Sequence, residues 1–229
     1  MGIDFEPFFK EYETLLALAD KTFEKVRQDF PDLVKCKNGC ADCCYALFDL
    51  PLIEALYINY HFNRTFKGHQ KEALLETINQ LDRQIHKLKR TANQNLETGK
   101  PEEEILTELA AARVRCPLLN DQDQCDLYGF RPITCRLYGI PTQIGGKGHT
   151  CRLSGFKPGE SYPTVNIDIL QKKLFQLSER FARTVKSRYG GLGEILVPLS
   201  MALLTDYDET YLGIKAEGGA TEDNLSLIH

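Results

Sequence analysis

Four thiols fall within nine residues, in the run Cys36-Lys37-Asn38-Gly39-Cys40-Ala41-Asp42-Cys43-Cys44. Far downstream follow Cys116, Cys125, Cys135 and Cys151, which complete the eight cysteines of the chain. Soft ligands act on a metal only when they converge on one point. The fold is therefore expected to bring these two distant blocks together.

How the cysteines are read depends on compartment. The N-terminus, Met1-Gly2-Ile3-Asp4-Phe5-Glu6, is acidic and lacks the basic and apolar regions of a secretory signal. The most apolar run, Ile195 to Leu204, is too short to span a bilayer and contains Pro198. A cytoplasmic protein is expected, and in a reducing compartment clustered thiols are metal ligands or redox groups rather than structural disulfides. At 229 residues the chain is long enough to build a core without covalent staples. Its net charge of −4 favours neither nucleic acid nor an anionic membrane as partner. A small molecule or a protein substrate is the partner class left open.

The remaining sequence reads as helices. Phe5, Phe8, Tyr12, Leu15, Ala19, Phe23, Val26 and Phe30 recur at helical spacing and predict a helix over 3–30, stopped by Pro31. Gly39 permits a tight turn inside the cysteine loop. Pro51 is expected in the first turn of a second helix, with Leu52, Ile53, Leu56, Tyr57 and Tyr60 as its apolar face. A third helix is predicted over 67–96, where Leu74, Ile78, Leu81, Ile85 and Leu88 repeat with a heptad-like step. Its end is basic (His86, Lys87, Lys89, Arg90), which suits the helix dipole. Glu102 to Val114 is expected to form a short helix. Residues 115–165, rich in Pro, Gly, Asp and Asn, predict turns and at most a small hairpin near 120–123. Asn166 is expected to cap a helix running to about Tyr189 and ended by Gly190-Gly191. A last helix is predicted over 194–204. The expectation is a mainly α single domain over 1–229, an irregular helical domain around a metal centre. The cysteine-bearing core spans 36–151, with a helical insertion at 66–114. C-terminal helices cover 166–204 and an acidic tail covers 206–229.

The eight cysteines are the candidate metal ligands. Cys43 and Cys44 are adjacent, so their side chains point apart. The pair suits two metal positions, two irons of one cluster, or one metal plus a packing thiol. Cys125-Asp-Leu-Tyr-Gly-Phe resembles Cys135-Arg-Leu-Tyr-Gly-Ile, a near repeat that would set Tyr128 and Tyr138 as walls of the centre. Cations crowd the thiols: Lys35, Lys37, Arg115, Arg131, Arg136 and Arg152. Cations stabilise thiolates, and Arg131 and Arg136 could also hold an anionic substrate group. Zinc sites usually show C-x2–4-C knuckles, which the second block lacks. Long ligand separations beside a tight three-thiol loop lean toward an iron–sulfur cluster, with zinc the alternative. Glu54, just after the cysteine loop, reads as a helix-face carboxylate, with a general-base or supporting role as the other reading. Gly145-Gly146-Lys147-Gly148 is not a phosphate loop, since Pro141 and Gly148 stand where Gly and Ser/Thr are required. It reads as a mobile loop, with His149 a minor ligand candidate.

The order Cys36-x3-Cys40-x2-Cys43-Cys44, Leu52-Ile53-Glu54-Ala55, Cys116-Pro-Leu-Leu, Cys125-x2-Tyr128-x2-Arg131-Pro132-x2-Cys135-Arg136 resembles the cysteine-cluster family described as zinc- or iron-chelating (YkgJ-type). The likeness covers 36–151. That family includes flagellin lysine N-methylases, which are larger and use S-adenosylmethionine. The resemblance implies a metal centre, here expected as [4Fe-4S], and raises methyl-transfer or redox chemistry as an expectation. The x3, x2 spacing is also similar to the radical S-adenosylmethionine loop. Against that, Asp42 stands where an aromatic precedes the third Cys, and no run of strands announces a β/α barrel.

Overall fold

The computed structural model describes residues 3–37, 39–157 and 159–214. As expected, it is mainly α-helical. Helix α1 (Glu6–Asp29) is followed by the cysteine loop, which contains a 3-10 turn at Asp42–Tyr45. Strand β1 (Asp49–Pro51) leads directly into α2 (Leu52–Thr65). An α-hairpin of α3 (Gly68–Glu97) and α4 (Glu102–Ala111) comes next. The turn-rich segment holds a 3-10 turn at Tyr128–Phe130 and the five-residue helix α5 (Ile133–Leu137), then strands β2 (Thr142–Ile144) and β3 (Lys147–His149). Strand β4 (Val165–Asn166) precedes α6 (Ile167–Thr184). A 3-10 turn at Leu192–Glu194, strand β5 (Leu196–Pro198) and α7 (Leu199–Leu204) complete the order.

Helix α2 is the axis of the molecule. Its first eight residues, Leu52 to Asn59, are all buried, so it has no solvent face there. The reason is that two apolar clusters share it. Leu52, Ile53, Leu56 and Tyr57 pack with α1, α5 and α6, through Tyr12, Leu137, Leu177 and Phe181 among others. Ala55, Ile58 and Phe62 pack on the other side, with Ile78 of α3, Ala202 and Leu203 of α7, and Leu118 and Leu127 from the cysteine-bearing segment. Each fully buried side chain of this size contributes about 1.5–3 kcal/mol.

A helix buried all round must satisfy its polar ends internally. Ser178 Oγ accepts from Ile53 N at 3.1 Å, at the start of α2, and donates to Leu174 O at 2.8 Å. Asn59 Nδ2 donates to Ala202 O and Thr205 O, both at 2.9 Å, and so closes the C-terminal end of α7. Ser200 Oγ donates to Asp82 Oδ1 at 2.8 Å, tying the start of α7 to α3.

Most of the helix expectations hold within a few residues at each end. On α1 the buried set is Phe9, Tyr12, Leu16, Ala19 and Val26. Phe8 and Leu15 lie only at the edge of the core. Tyr12, Ala19 and Val26 are buried as expected, and Phe9 and Leu16 join them where Phe8 and Leu15 were foreseen. Asn166 caps α6 as expected, its Oδ1 accepting from Ile169 N at 3.2 Å. The helix nevertheless stops at Thr184 rather than near Tyr189, and Lys186 takes φ +54° just beyond it. The predicted helix over 194–204 is corrected in its first half. Residues 196–198 form β5, which pairs antiparallel with β1 in the register Asp49–Pro198, Leu50–Val197, Pro51–Leu196. Pro198 keeps the residue before it out of the helical region, so the helix starts only after it. The Gly145-Gly146 stretch is not a loose loop: both glycines have positive φ and form the turn of the β2–β3 hairpin. The small hairpin foreseen near 120–123 exists as a tight turn closed by an isolated Leu119–Cys125 bridge. Of the acidic tail, residues 206–214 are seen, with Leu212 buried. The rest lies outside the described residues.

Gly193 packs closely against the backbone of α6. A Cβ there would sit 2.5 Å from Glu179 Cα and 2.8 Å from Glu179 N, both backbone atoms. Gly193→Ala is expected to lower stability by about 1–3 kcal/mol, the cost of overpacking a rigid contact, read as a lower denaturant midpoint with unchanged slope.

Candidate metal centre

The two thiol blocks meet. Cys116 N donates to Cys44 O at 2.6 Å, so the segment entering the second block is bonded directly to the first. Cys40, Cys43, Cys44, Cys116, Cys125 and Cys135 line one cavity of about 410 Å³. Arg131 and Tyr128 line it too. All eight cysteines are free thiols.

Three devices bring the thiols to this place. The first is the buried position of Glu54. Its Oε1 accepts from Tyr12 OH at 2.7 Å and from Ile133 N at 2.9 Å. One carboxylate on α2 thereby anchors α1 and the first turn of α5, the helix that carries Cys135. Burial raises the Glu54 carboxyl above its ordinary range, against the lowering effect of those two hydrogen bonds and of Arg136.

The second device is Arg136. It is buried, donates to the Arg131 and Gly129 carbonyls and pairs with Asp20 of α1. Its donors thus fix the 129–136 turn, and it does not line the cavity. Tyr138 likewise turns away: its hydroxyl donates to Asp42 Oδ2 at 3.3 Å.

The third device is Asp42, which the sequence offered only as a departure from another motif. It is buried inside the cysteine loop. It receives Arg152 Nε at 2.9 Å and Arg113 Nη2 at 3.0 Å, and the Cys151 thiol donates to it at 3.5 Å. Burial works to raise its carboxyl, but the hydrogen bonds from Arg152 and Arg113 outweigh this and the net shift is downward. Asp42 thus clamps the two ends of the second block, near Arg113 and at Cys151, onto the first. Its signal was present in the sequence as a lone acid inside a basic, thiol-rich surround.

Cys36 and Cys151 do not line the cavity but stand beside it. Cys36 Sγ lies against Gly139, where a Cβ would come within 2.1 Å of the sulfur and 3.2 Å of Phe23 Cε2. This explains the glycine of the second Cys-x2-Tyr-Gly unit. Gly129, in the first unit, has open space around it. The two units also differ in conformation, one a 3-10 turn and the other entering from α5. Gly139→Ala should push Cys36 off its position, at a cost of about 1–3 kcal/mol. Thermal melts and slower reaction of metal-free protein with a thiol reagent would check this.

Burial dominates the titration of most of these thiols. It pushes Cys36 and Cys116 up to about 12 and raises Cys125, Cys135 and Cys151. The adjacent pair behaves differently. Hydrogen bonding between them lowers Cys43 and raises Cys44. Arg131 favours the thiolate at Cys36, Cys43, Cys125 and Cys135.

A set of soft sulfur donors around one cavity, with a guanidinium among them, fits zinc or iron and not a hard oxygen-seeking cation. Among the described residues, no group of three or more His, Cys, Asp or Glu stands in the geometry that would hold a metal ion as it is. The thiols are gathered, and closing on a metal requires further side-chain movement. His149 is exposed on β3 and does not line the cavity. No helix among the described residues is long and apolar enough to cross a membrane.

This arrangement, distant thiols drawn to one cavity in a helical frame, defines a cysteine-cluster metal-binding protein. The family model described as "CxxCxxCC: Putative zinc- or iron-chelating domain" matches residues 35–152, and the chain belongs to that family. The matched segment runs from Lys35 to Arg152, covers more than half of the chain and contains all eight cysteines. The label's first spacing is two residues, where this chain has three. No curated protein and no solved structure gives a significant match.

Proposed function

We propose that the protein is an iron–sulfur protein whose centre is held by the eight cysteines. The observation that carries this reading is the convergence of six thiols from two distant segments on one cavity. A [4Fe-4S] cluster takes four of these thiolates. Such a cluster would supply one-electron chemistry or, with an open iron, a site for a bound substrate. Arg131 would offset part of the thiolate charge, Glu54 would hold the α5 ligand in place, and Asp42 would hold the Cys151 end. Redox or methyl-transfer chemistry, the latter with S-adenosylmethionine, follows from the resemblance alone.

Zinc is the second reading. The thiols sit on turns and one five-residue helix, and a closed tetrahedral ion would staple such short elements together without any chemistry. Anaerobic purification separates the two. Iron with matching acid-labile sulfide and absorbance near ~400 nm supports the cluster. Colourless protein with stoichiometric zinc overturns it.

A further inference from the structure

The cavity is larger than a set of thiols needs. Its lining also includes Ile58 of α2, Ile85 of α3 and Leu199 of α7, elements that contribute no cysteine, together with Leu47, Phe48 and Leu118. Its volume of about 410 Å³ lies in the range of small-molecule pockets, roughly 300–1,000 Å³. Arg131 lines it together with the thiols. Its guanidinium carbon lies 3.7 Å from the centre of the Tyr128 ring, and Tyr128 is 61% exposed. The Arg131 backbone is fixed, because its carbonyl accepts from Arg136 Nε at 2.9 Å. Yet its Nε is buried with no hydrogen-bond partner, and among the described residues no carboxylate forms an ion pair with it.

The other charged groups on the lining are differently placed. Asp49 is paired with Lys89 at 2.6 Å. Arg115 donates to the Leu119 and Asn120 carbonyls. Lys37 and Asp123 are exposed. A buried donor left unsatisfied is costly, about 1–3 kcal/mol, and a charged acceptor reaching it recovers that cost. Stacking on Tyr128 holds the guanidinium plane in advance, which lowers the entropy lost when a planar anion binds.

We infer that this cavity binds a small organic anion with an apolar body: its carboxylate or phosphate on Arg131, its apolar part against Ile58, Ile85 and Leu199. The inference rests on the metal reading in one respect, that the centre occupies the thiol-bearing part of the cavity and leaves its apolar part to the ligand.

The test uses the metal-loaded full chain and isothermal titration with octanoate, octyl phosphate and octanol. At least one of the two anions should bind about tenfold or more tightly than octanol, the scale of one charge-assisted hydrogen bond. Which anion binds better tells carboxylate from phosphate. Arg131→Met should lose that preference, read as the ratio of anion to octanol affinity in the metal-loaded fraction, with metal content measured on the same sample. Leu47→Trp, which fills the apolar side and leaves every thiol in place, should abolish binding with metal retained. Equal binding of octanol, no binding of either anion, an anion preference unchanged in Arg131→Met, or normal binding in Leu47→Trp would overturn the proposal. If wild-type protein carries no metal, the metal reading fails by itself, and the same titrations still decide whether the cavity binds anions.

Discussion

Cys43→Ser is expected to remove at least half of the bound metal and to lower the melting temperature more than exchange of any other single thiol. Cys43 lines the cavity beside Cys44, and a thiolate there works against ionisation of Cys36, Cys44, Cys116, Cys125 and Cys135. Serine keeps the size but replaces a soft, readily ionised sulfur with a hard oxygen that stays protonated. Binding of a structural metal can contribute on the order of 10 kcal/mol to folding, so losing one centre is a large effect. Metal analysis of the purified variant and a thermal melt beside wild type check it. Full metal content in Cys43→Ser would mean that this thiol is not a ligand.

Glu54→Ala is expected to destabilise the protein by about 3–5 kcal/mol. Two buried donors, Tyr12 OH and Ile133 N, would lose their acceptor, at about 1–3 kcal/mol each. The missing side chain would also leave a void among buried neighbours, which adds to the cost. Glu54→Gln keeps an acceptor oxygen at the same reach and should cost much less. Urea denaturation of the metal-free protein measures the fold alone. Metal affinity measured afterwards should fall in the Ala variant as well, because α5 carries Cys135. An Ala variant as stable as wild type would show that α5 is held by Arg136 and apolar packing without Glu54.

These two residues show how differently the sequence spoke about the site. The cysteines announced themselves by count and spacing, and the prediction that the blocks meet needed no structure. Glu54 looked like any carboxylate on a helix face. Its role depends on α2 being buried on every side, which follows from two apolar clusters meeting on one helix. Helical periodicity in α2 showed an apolar face but not that a second cluster would cover the opposite one. Asp42 was hidden for the same reason: its partners Arg113, Arg152 and Tyr138 lie far away in the chain. The Cys-Tyr-Gly near repeat suggested equivalent geometry, and the fold treats the two halves differently. Only Gly139 is pressed against a sulfur, and only Tyr128 faces the cavity. Helix α5 was missed because five residues carry too little periodicity to read, although Arg131-Pro132 stands just ahead of it as a start signal.

Local physics thus settled from the sequence what depends on near neighbours: the helices α1, α3 and α6, the Asn166 cap, and a donor set of eight soft thiols. Side-chain periodicity and ligand softness are properties of short segments, so they survive without knowledge of the fold. Tertiary packing decided which thiols share a cavity, that Arg136 braces a turn while Arg131 keeps a donor free, and that one carboxylate on α2 holds the helix bearing Cys135. Those outcomes depend on distances between segments far apart in the chain, which are set when α2 is enclosed from both sides.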